Sequence, residues 1–347
     1  MRRNTRRPPF ADGRCGAVLI LVLFVLTGLA VLTMEFSRDV LLDHALSSST
    51  RSIIAAKPLM ESGERLATAV LTRNSEEGTP DHVREDWGRF GLELERLSAE
   101  LKGADLSGSI EDENSRFPIN AIFYEREADR ARADAFADIL GRMLAGLMRL
   151  HGYSGGQDNA LALARDYVDS LRQWGGQTET DEDSLKWYLA QTPRRLPPGR
   201  PLQAAEEILL VRWPNVEEAW ARAVLQGTGT LPGLMETLTV WARGPMNMNT
   251  LQPAILSALV RDERQARPFV SAVLQYRNNP DNELGEGWYR DLLSYYGAPA
   301  LPNGCLDVRS RWYRLNLTVR QGARKNTLTS VGWATHGYVT WEYRTVR

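Results

Sequence analysis

The sequence predicts an α+β protein in which a long helix opens the chain, a helical unit follows, and antiparallel strands close it. Three observations carry this reading. An uncharged run, AVLILVLFVLTGLAVLTM at Ala17–Met34, passes directly into an amphipathic pattern. Apolar residues recur at helical spacing from 125 to about 235. Near the end, Leu315, Leu317 and Val319 alternate with Asn316, Thr318 and Arg320, the period of a half-buried strand.

Composition bounds the function. The 347 residues hold 42 basic and 43 acidic side chains, net charge −1, with 43% hydrophobic and 24% charged residues. Such values exclude a disordered chain, a collagen-like repeat and a nucleic-acid binder acting through bulk positive charge. A mean hydropathy of −0.35 excludes a polytopic membrane protein. Two cysteines, Cys15 and Cys305, exclude a disulfide-dense scaffold and a four-cysteine zinc site. The length allows two or three compact units.

The first element is segregated by charge. Residues 1–16 carry Arg2, Arg3, Arg6, Arg7 and Arg14 against Asp12 alone, a charge of +4, so residues 17–347 carry −5. At 1.5 Å per residue the uncharged run spans roughly 27 Å, enough for a hydrocarbon core. Arginines before it and none within it place the N-terminus in the cytoplasm and the rest beyond the inner membrane. A secretory signal has a shorter apolar core and a small-residue cleavage site, whereas Glu35-Phe36-Ser37-Arg38 follows here. A lipoprotein signal fails because Cys15 precedes the run. An uncleaved signal anchor remains open. So does a leader cut between Gly16 and Ala17, where a basic segment ends in glycine directly before the apolar run, as in type IV prepilins.

Beyond Met34, Phe36, Val40, Ala45, Ile53 and Ile54 recur among Ser37, Arg38, Asp39, Asp43 and Arg51. Pro58 and Gly63 are expected to kink or interrupt the helix. A further piece through Leu66, Ala67, Val70 and Leu71 ends at the turn-rich Asn74–Pro80. Residues 103–110, GADLSGSI, open a second region. The triplet Glu111-Asp112-Glu113 could take a cation. The alternative is a solvated turn before a buried Phe117 and Ile119.

The helical unit is read from Phe136, Ile139, Leu140, Met143, Leu144, Leu147 and Leu150, then Leu161, Leu163, Ala164, Tyr167, Val168 and Leu171. Shorter helices follow at Leu185–Leu189, Ile208–Val211 and Ala219–Leu225, with Pro193, Pro197, Pro198 and Pro201 breaking the middle. Thr327–Trp333 and Tyr338–Tyr343, punctuated by Gly322 and Gly337, complete three antiparallel strands.

Several motifs carry potential chemistry. Gly152-Tyr153-Ser154-Gly155-Gly156 matches G-x-S-x-G, but a nucleophile elbow needs a strand before the serine, and the pattern there is helical. His44, His82, His151 and His336 have no metal-ligand spacing. Asp281, Glu283 and Glu286 offer oxygen ligands, so calcium is a candidate cofactor, weighed against a solvated acidic loop. Asp181-Glu182-Asp183 has the same ambiguity, with capping of the next helix as the alternative. Thr228–Leu234 and Met246–Thr250 are similar to helix-hairpin-helix turns. No lysine cluster accompanies them, so no nucleic-acid partner is read. Asn249-Thr250 is assigned instead as N-cap of a helix over 253–260.

Taken in order, these segments resemble the general secretion pathway protein K family, the K-type minor pseudopilins of the bacterial type II secretion system. The resemblance covers nearly the whole length. It rests on the Gly16-Ala17 junction and on Leu21, which stands at the fifth position from Ala17 where most pilin-like proteins carry glutamate. It rests also on I-E-D-E-x-x-R-F-x-I-N at Ile110–Asn120, A-R-D-Y-V-D-S at Ala164–Ser170, acidic Thr180–Asp183, P-G-R-P-L at Pro198–Leu202, N-M-N-T at Asn247–Thr250 and S-R-W-Y-R-L-N-L at Ser310–Leu317. Asp166-Tyr167-Val168-Asp169 stands where the family usually has a tryptophan-bearing pattern.

The resemblance implies a pilin-like α/β domain with an inserted helical domain similar to SAM-like units. It divides the chain into a basic leader (1–16), a transmembrane part of the first helix (17–34), a first part of the α/β domain (35–124), the insertion (125–235) and the remainder with the closing strands (236–347). It implies a non-enzymatic subunit at the pseudopilus tip that primes assembly for export of folded proteins. The expected partners are I- and J-type minor pseudopilins, the prepilin peptidase and the inner membrane, with methylation after processing. Two rivals stand beside it: a membrane-anchored periplasmic serine hydrolase using Ser154, and a generic signal-anchored interaction protein.

Overall fold

A computed structural model describes residues 14–100, 104–322 and 324–347. The chain divides into two compact units, 1–58 and 59–347. The first consists, among the described residues, of the opening part of helix α1 (Arg14–Glu77), a single 64-residue element. The expected interruption does not occur: the helix is continuous through Pro58 and Gly63. It ends where the sequence turns to Gly78, which has φ +62°.

In the second unit the remaining part of α1 presents Met60, Gly63, Ala67 and Leu71 as a buried stripe at spacings of three and four. Gly63 belongs to that stripe because a Cβ there would stand 2.8 Å from Leu317 Cδ1. Helix α2 (Phe90–Ser98) follows, burying Phe90 and Leu94. Strand β1 (Asp105–Asp112) then pairs antiparallel with β2 (Trp312–Gln321). β2 pairs with β3 (Arg324–Thr335), and β3 with β4 (Tyr338–Val346), giving a four-stranded antiparallel sheet in the order β1-β2-β3-β4. The three closing strands match the alternation read in the sequence: Leu315, Leu317 and Val319 are buried, and Gly322 and Gly337 take positive φ at the two turns.

Strand β1 is the element the sequence conceals. Its glycine and serines show no strand alternation, yet Gly108 is demanded by packing. A Cβ there would lie 2.5 Å from the Asn316 carbonyl and 2.7 Å from Leu317 Cδ2. The sheet is tied to the second unit's part of α1. Ser330 donates to Glu64 at 2.7 Å, Arg344 pairs with Glu64 at 3.3 Å, and Trp341 Nε1 donates to Thr68 Oγ1 at 3.1 Å.

The helical region holds α3 (Arg130–Leu150), α4 (Gln157–Trp174), α5 (Glu182–Ala190) and α6 (Glu218–Gln226). It continues into α7 (Pro253–Leu259), α8 (Glu263–Asn278) and α9 (Arg290–Tyr295). Its apolar core runs from Phe117 to Val308 and includes residues on both sides of position 235. The stripe read in the sequence is the buried face of α3 as far as Leu147, with Phe136, Ile139, Leu140 and Leu144 fully enclosed, but Leu150 at the helix end is exposed. On α4, Tyr167 packs at a tilt against Trp213, 4.7 Å between ring centroids, and donates to the Ile208 carbonyl at 2.7 Å. That places a large ring in the core without an unmet hydroxyl.

Candidate functional site

Two features stand out: the apolar helix of the first unit and a buried polar junction in the second. The helix from Leu19 to His44 is long and apolar enough to cross a membrane. Its side chains are exposed throughout, Leu21 by 64%, and it carries no charge before Glu35. Gly16 and Ala17 lie in the opening turns of α1, while residues 1–13 of the segment expected to be a leader fall outside the described residues.

The junction is built from motifs far apart in sequence. Asp112 ends β1 and is buried. Its Oδ1 accepts from the Asn114 N–H at 2.7 Å. Its Oδ2 accepts from Ser310 Oγ at 2.5 Å, from Asn247 Nδ2 at 3.1 Å and from the Thr250 hydroxyl. Asn247 Nδ2 also reaches the Asp81 carbonyl at 3.0 Å, and its Oδ1 accepts from the Asn249 N–H at 2.8 Å. Asn249 in turn donates to the Leu284 carbonyl at 3.0 Å and accepts from Trp288 Nε1 at 2.7 Å. A second buried carboxylate, Asp81, accepts from Tyr313 Oη at 2.7 Å, the Ser310 N–H at 2.7 Å and Asn74 Nδ2 at 2.6 Å.

Asn114 and Asn120 extend the junction. Asn114 accepts from the N–H groups of Arg311 and Trp312, at 3.1 and 3.0 Å, and donates to the Pro245 carbonyl at 2.8 Å. Asn120 clamps Leu202 by accepting from its N–H at 2.9 Å and donating to its carbonyl at 2.8 Å. Four of the segments singled out in the sequence, around residues 110–120, 198–202, 247–250 and 310–317, therefore meet in one place.

Electrostatics follow from burial. Enclosure pushes Asp112 up to about 7, opposed by the hydrogen bonds from Ser310, Thr250 and the Asn114 N–H, with the Asp81 charge adding to the rise. Burial likewise raises Asp81. Glu113, fully enclosed, is paired with Arg314. The acidic triplet is thus not a solvated turn. Asp112 and Glu113 point inward: amide and hydroxyl donors meet Asp112, and the Arg314 guanidinium meets one oxygen of Glu113. Phe117 and Ile119 are buried as expected.

Asn249 and Thr250 do not cap the following helix. Gln252 is the N-cap of α7, and the asparagine and threonine side chains are committed to the junction. Asp81 gave no sequence signal, because its partner Tyr313 lies 232 positions away.

The other candidates are not brought together. Ser154 is exposed in the turn between α3 and α4, with a helix and no strand before it. His151 Nε2 faces the Pro232 carbonyl at 2.9 Å. Among the described residues no three histidine, cysteine, aspartate or glutamate side chains gather as metal ligands. Asp281, Glu283 and Glu286 are exposed around a buried Leu284. Asp181 does cap α5, accepting from the Ser184 N–H at 2.8 Å, and this bond holds its carboxyl below the usual range. Cys305 is free and buried, and burial pushes its thiol up to about 11.

No protein-family model and no curated protein matches the chain by sequence. Its fold is similar to a chain in the crystal structure of the GspK-GspI-GspJ complex of the type 2 secretion system from enterotoxigenic Escherichia coli. The TM-score is 0.57 at 16% identity, over 87% of this chain and 99% of that one. The likeness establishes a shared fold: a long N-terminal helix, an antiparallel sheet and a large helical part.

Proposed function

We propose that this chain is a K-type minor pseudopilin, a non-enzymatic subunit at the tip of a type II secretion pseudopilus that primes its assembly. The observation that carries the reading is the fold likeness to a chain of the GspK-GspI-GspJ complex over 87% of this chain. The apolar helix ahead of that fold adds to it. In this reading residues 1–16 form the leader, residues 17–34 store the precursor in the inner membrane, and the periplasmic part carries 125–235 as an inserted helical domain. The partners are I- and J-type pseudopilins and the prepilin peptidase, with methylation of the new Ala17 amine.

Leu21 fits a tip position. A buried glutamate in a packed apolar core needs a neighbour's amine. A first subunit has no neighbour above it to supply or require one. The polar junction suits a subunit that must stay rigid while load passes from its helix to its helical insertion. It joins the segment after α1, strands β1 and β2, and the start of α7 through oriented hydrogen bonds.

Expression with and without prepilin peptidase, followed by N-terminal sequencing, tests the reading. A mature start at Ala17 is expected. Absence of processing, or a start elsewhere, refutes it.

A further inference from the structure

A cleft of about 630 Å³ opens beside the start of β2, between the segments at 202–203 and 240–245. Its walls are fixed. Asn114 and Asn120 line it with both ends of their amides already committed to backbone groups. One side is aromatic, with Trp241 and Trp312 at 6.3 Å between centroids and Trp241 against Tyr343 at 5.5 Å. Both tryptophans are only half-buried, so their faces remain open to the cleft.

The rim is cationic. Arg243, Arg309 and Arg311 line the cleft and are exposed. Against them stands Asp307, whose Oδ1 already accepts from the Val308 N–H at 2.7 Å. Among the described residues Arg243 and Arg311 form no ion pair. Some exposed arginines elsewhere on this surface sit against acids, as in Arg96–Glu93 at 2.9 Å and Arg130–Glu127 at 3.1 Å. Three guanidinium groups facing a single carboxylate beside an aromatic wall leave the rim net positive, and a bound anion relieves their mutual repulsion.

We propose that this cleft docks an extended acidic segment of a partner polypeptide. Its carboxylates meet Arg243, Arg309 and Arg311, and one apolar side chain rests against Trp241 and Trp312. The guanidinium fork matches a carboxylate in planar, two-point contact. The tryptophan faces accept aliphatic or proline side chains. The volume suits a few residues of extended chain and no folded domain. A basic segment is repelled by the same rim. The inference stands apart from the filament reading and does not depend on leader processing.

The test uses the full-length protein in non-ionic detergent and a fluorescein-labelled hexapeptide, Glu-Asp-Leu-Pro-Asp-Glu, read by anisotropy. Saturable binding is expected, weakening as salt rises from about 50 to about 300 mM. The double variant Arg243→Glu/Arg311→Glu should weaken it by about ten-fold or more with an unchanged melting temperature, because both side chains are exposed. Arg264→Glu, on a solvent-facing arginine of α8 outside the cleft, should bind as wild type. Three results overturn the proposal: no saturable binding, equal binding of the matched peptide Lys-Lys-Leu-Pro-Lys-Lys, or equal loss in Arg264→Glu. Binding to phosphatidylglycerol vesicles without peptide binding overturns it too, since the rim would then serve a lipid surface.

Discussion

The Ser310 hydroxyl donates a 2.5 Å hydrogen bond to Oδ2 of Asp112 across 198 positions of chain. The N–H of the same serine donates to Oδ2 of Asp81 at 2.7 Å. Ser310 therefore stands between two buried carboxylates and satisfies one with its side chain and the other with its backbone. Neither acid has a cation in hydrogen-bond contact. Both are held by neutral donors, so the arrangement depends on every donor being present.

Replacing Asp112 by alanine should be the most damaging single change in this junction. It leaves the Ser310 and Thr250 hydroxyls, Asn247 Nδ2 and the Asn114 N–H without their acceptor in a buried site. A loss of about 3–5 kcal/mol is expected for Asp112→Ala. Ser310→Ala, which removes one donor and leaves the backbone bond to Asp81, should cost about 1–3 kcal/mol. Chemical denaturation followed by tryptophan fluorescence measures both, and the reverse ranking would show that Asp112 is not the hub.

The pH dependence has a defined sign. Asp112 titrates at about 7 in the folded protein and near 3.8 in the unfolded chain. Between those values the folded state holds the proton that the unfolded state has released, so stability from this group falls as pH rises from about 4 to 7. Asp81, also raised by burial, acts in the same direction. Asp181, which its Ser184 cap holds low, acts in the opposite one. The comparison of wild type with Asp112→Asn isolates the effect. The wild type should lose more melting temperature between pH 4.5 and 7.5 than the variant. Parallel curves would mean that Asp112 ionises normally.

Much of this architecture is visible in the sequence wherever one periodicity dominates. Leu315, Leu317 and Val319 alternate strictly and lie in β2, and the 3.6-residue stripe from Phe136 to Leu147 is the buried face of α3. Strand β1 is hidden because Gly108 and its serines are selected by contact with the Asn316 carbonyl and Leu317, and local propensity reports none of that. The junction was half legible. Asp112, Asn247, Thr250 and Ser310 sit in segments that draw attention, but reading Asp112 as solvated and Thr250 as a cap followed from neighbours in sequence. Their true partners are 138 positions apart for Thr250 and Asp112, and 135 for Asn247 and Asp112. Asp81 and Trp241 carry no local pattern, and the Ser310–Leu317 segment gives no sign that Trp312 faces Trp241.

Gly63 offers a packing test. Its absent Cβ makes room for Leu317, itself buried on β2. Gly63→Val would press a branched side chain against both Leu317 methyls, 2.8 and 3.3 Å from the nearest Cβ position. A destabilisation of about 1–3 kcal/mol is expected. Adding Leu317→Ala to Gly63→Val should recover part of it, because the pair would then share one volume. Thermal denaturation of the two single variants and the double variant forms the cycle. Strict additivity would show that the two residues do not compete for space.

Leu21→Glu tests the tip placement. Leu21 lies within an uncharged helical run. An ionised glutamate in apolar surroundings costs on the order of a few kcal/mol unless a neighbour's amine meets it. A subunit inside a filament finds that amine on the next subunit, but a first subunit does not. If the chain is the tip subunit proposed above, Leu21→Glu should still be cut after Gly16, since the junction itself is unaltered, yet initiate fewer pseudopili and secrete several-fold less. Leu21→Ile, which keeps the surface apolar, should behave as wild type. Counting surface pseudopili by immunogold labelling and assaying secreted protein in the same cells measures both effects. Normal pseudopilus numbers with Leu21→Glu would show that this helix has a partner at position 21, and the subunit would then belong within the filament.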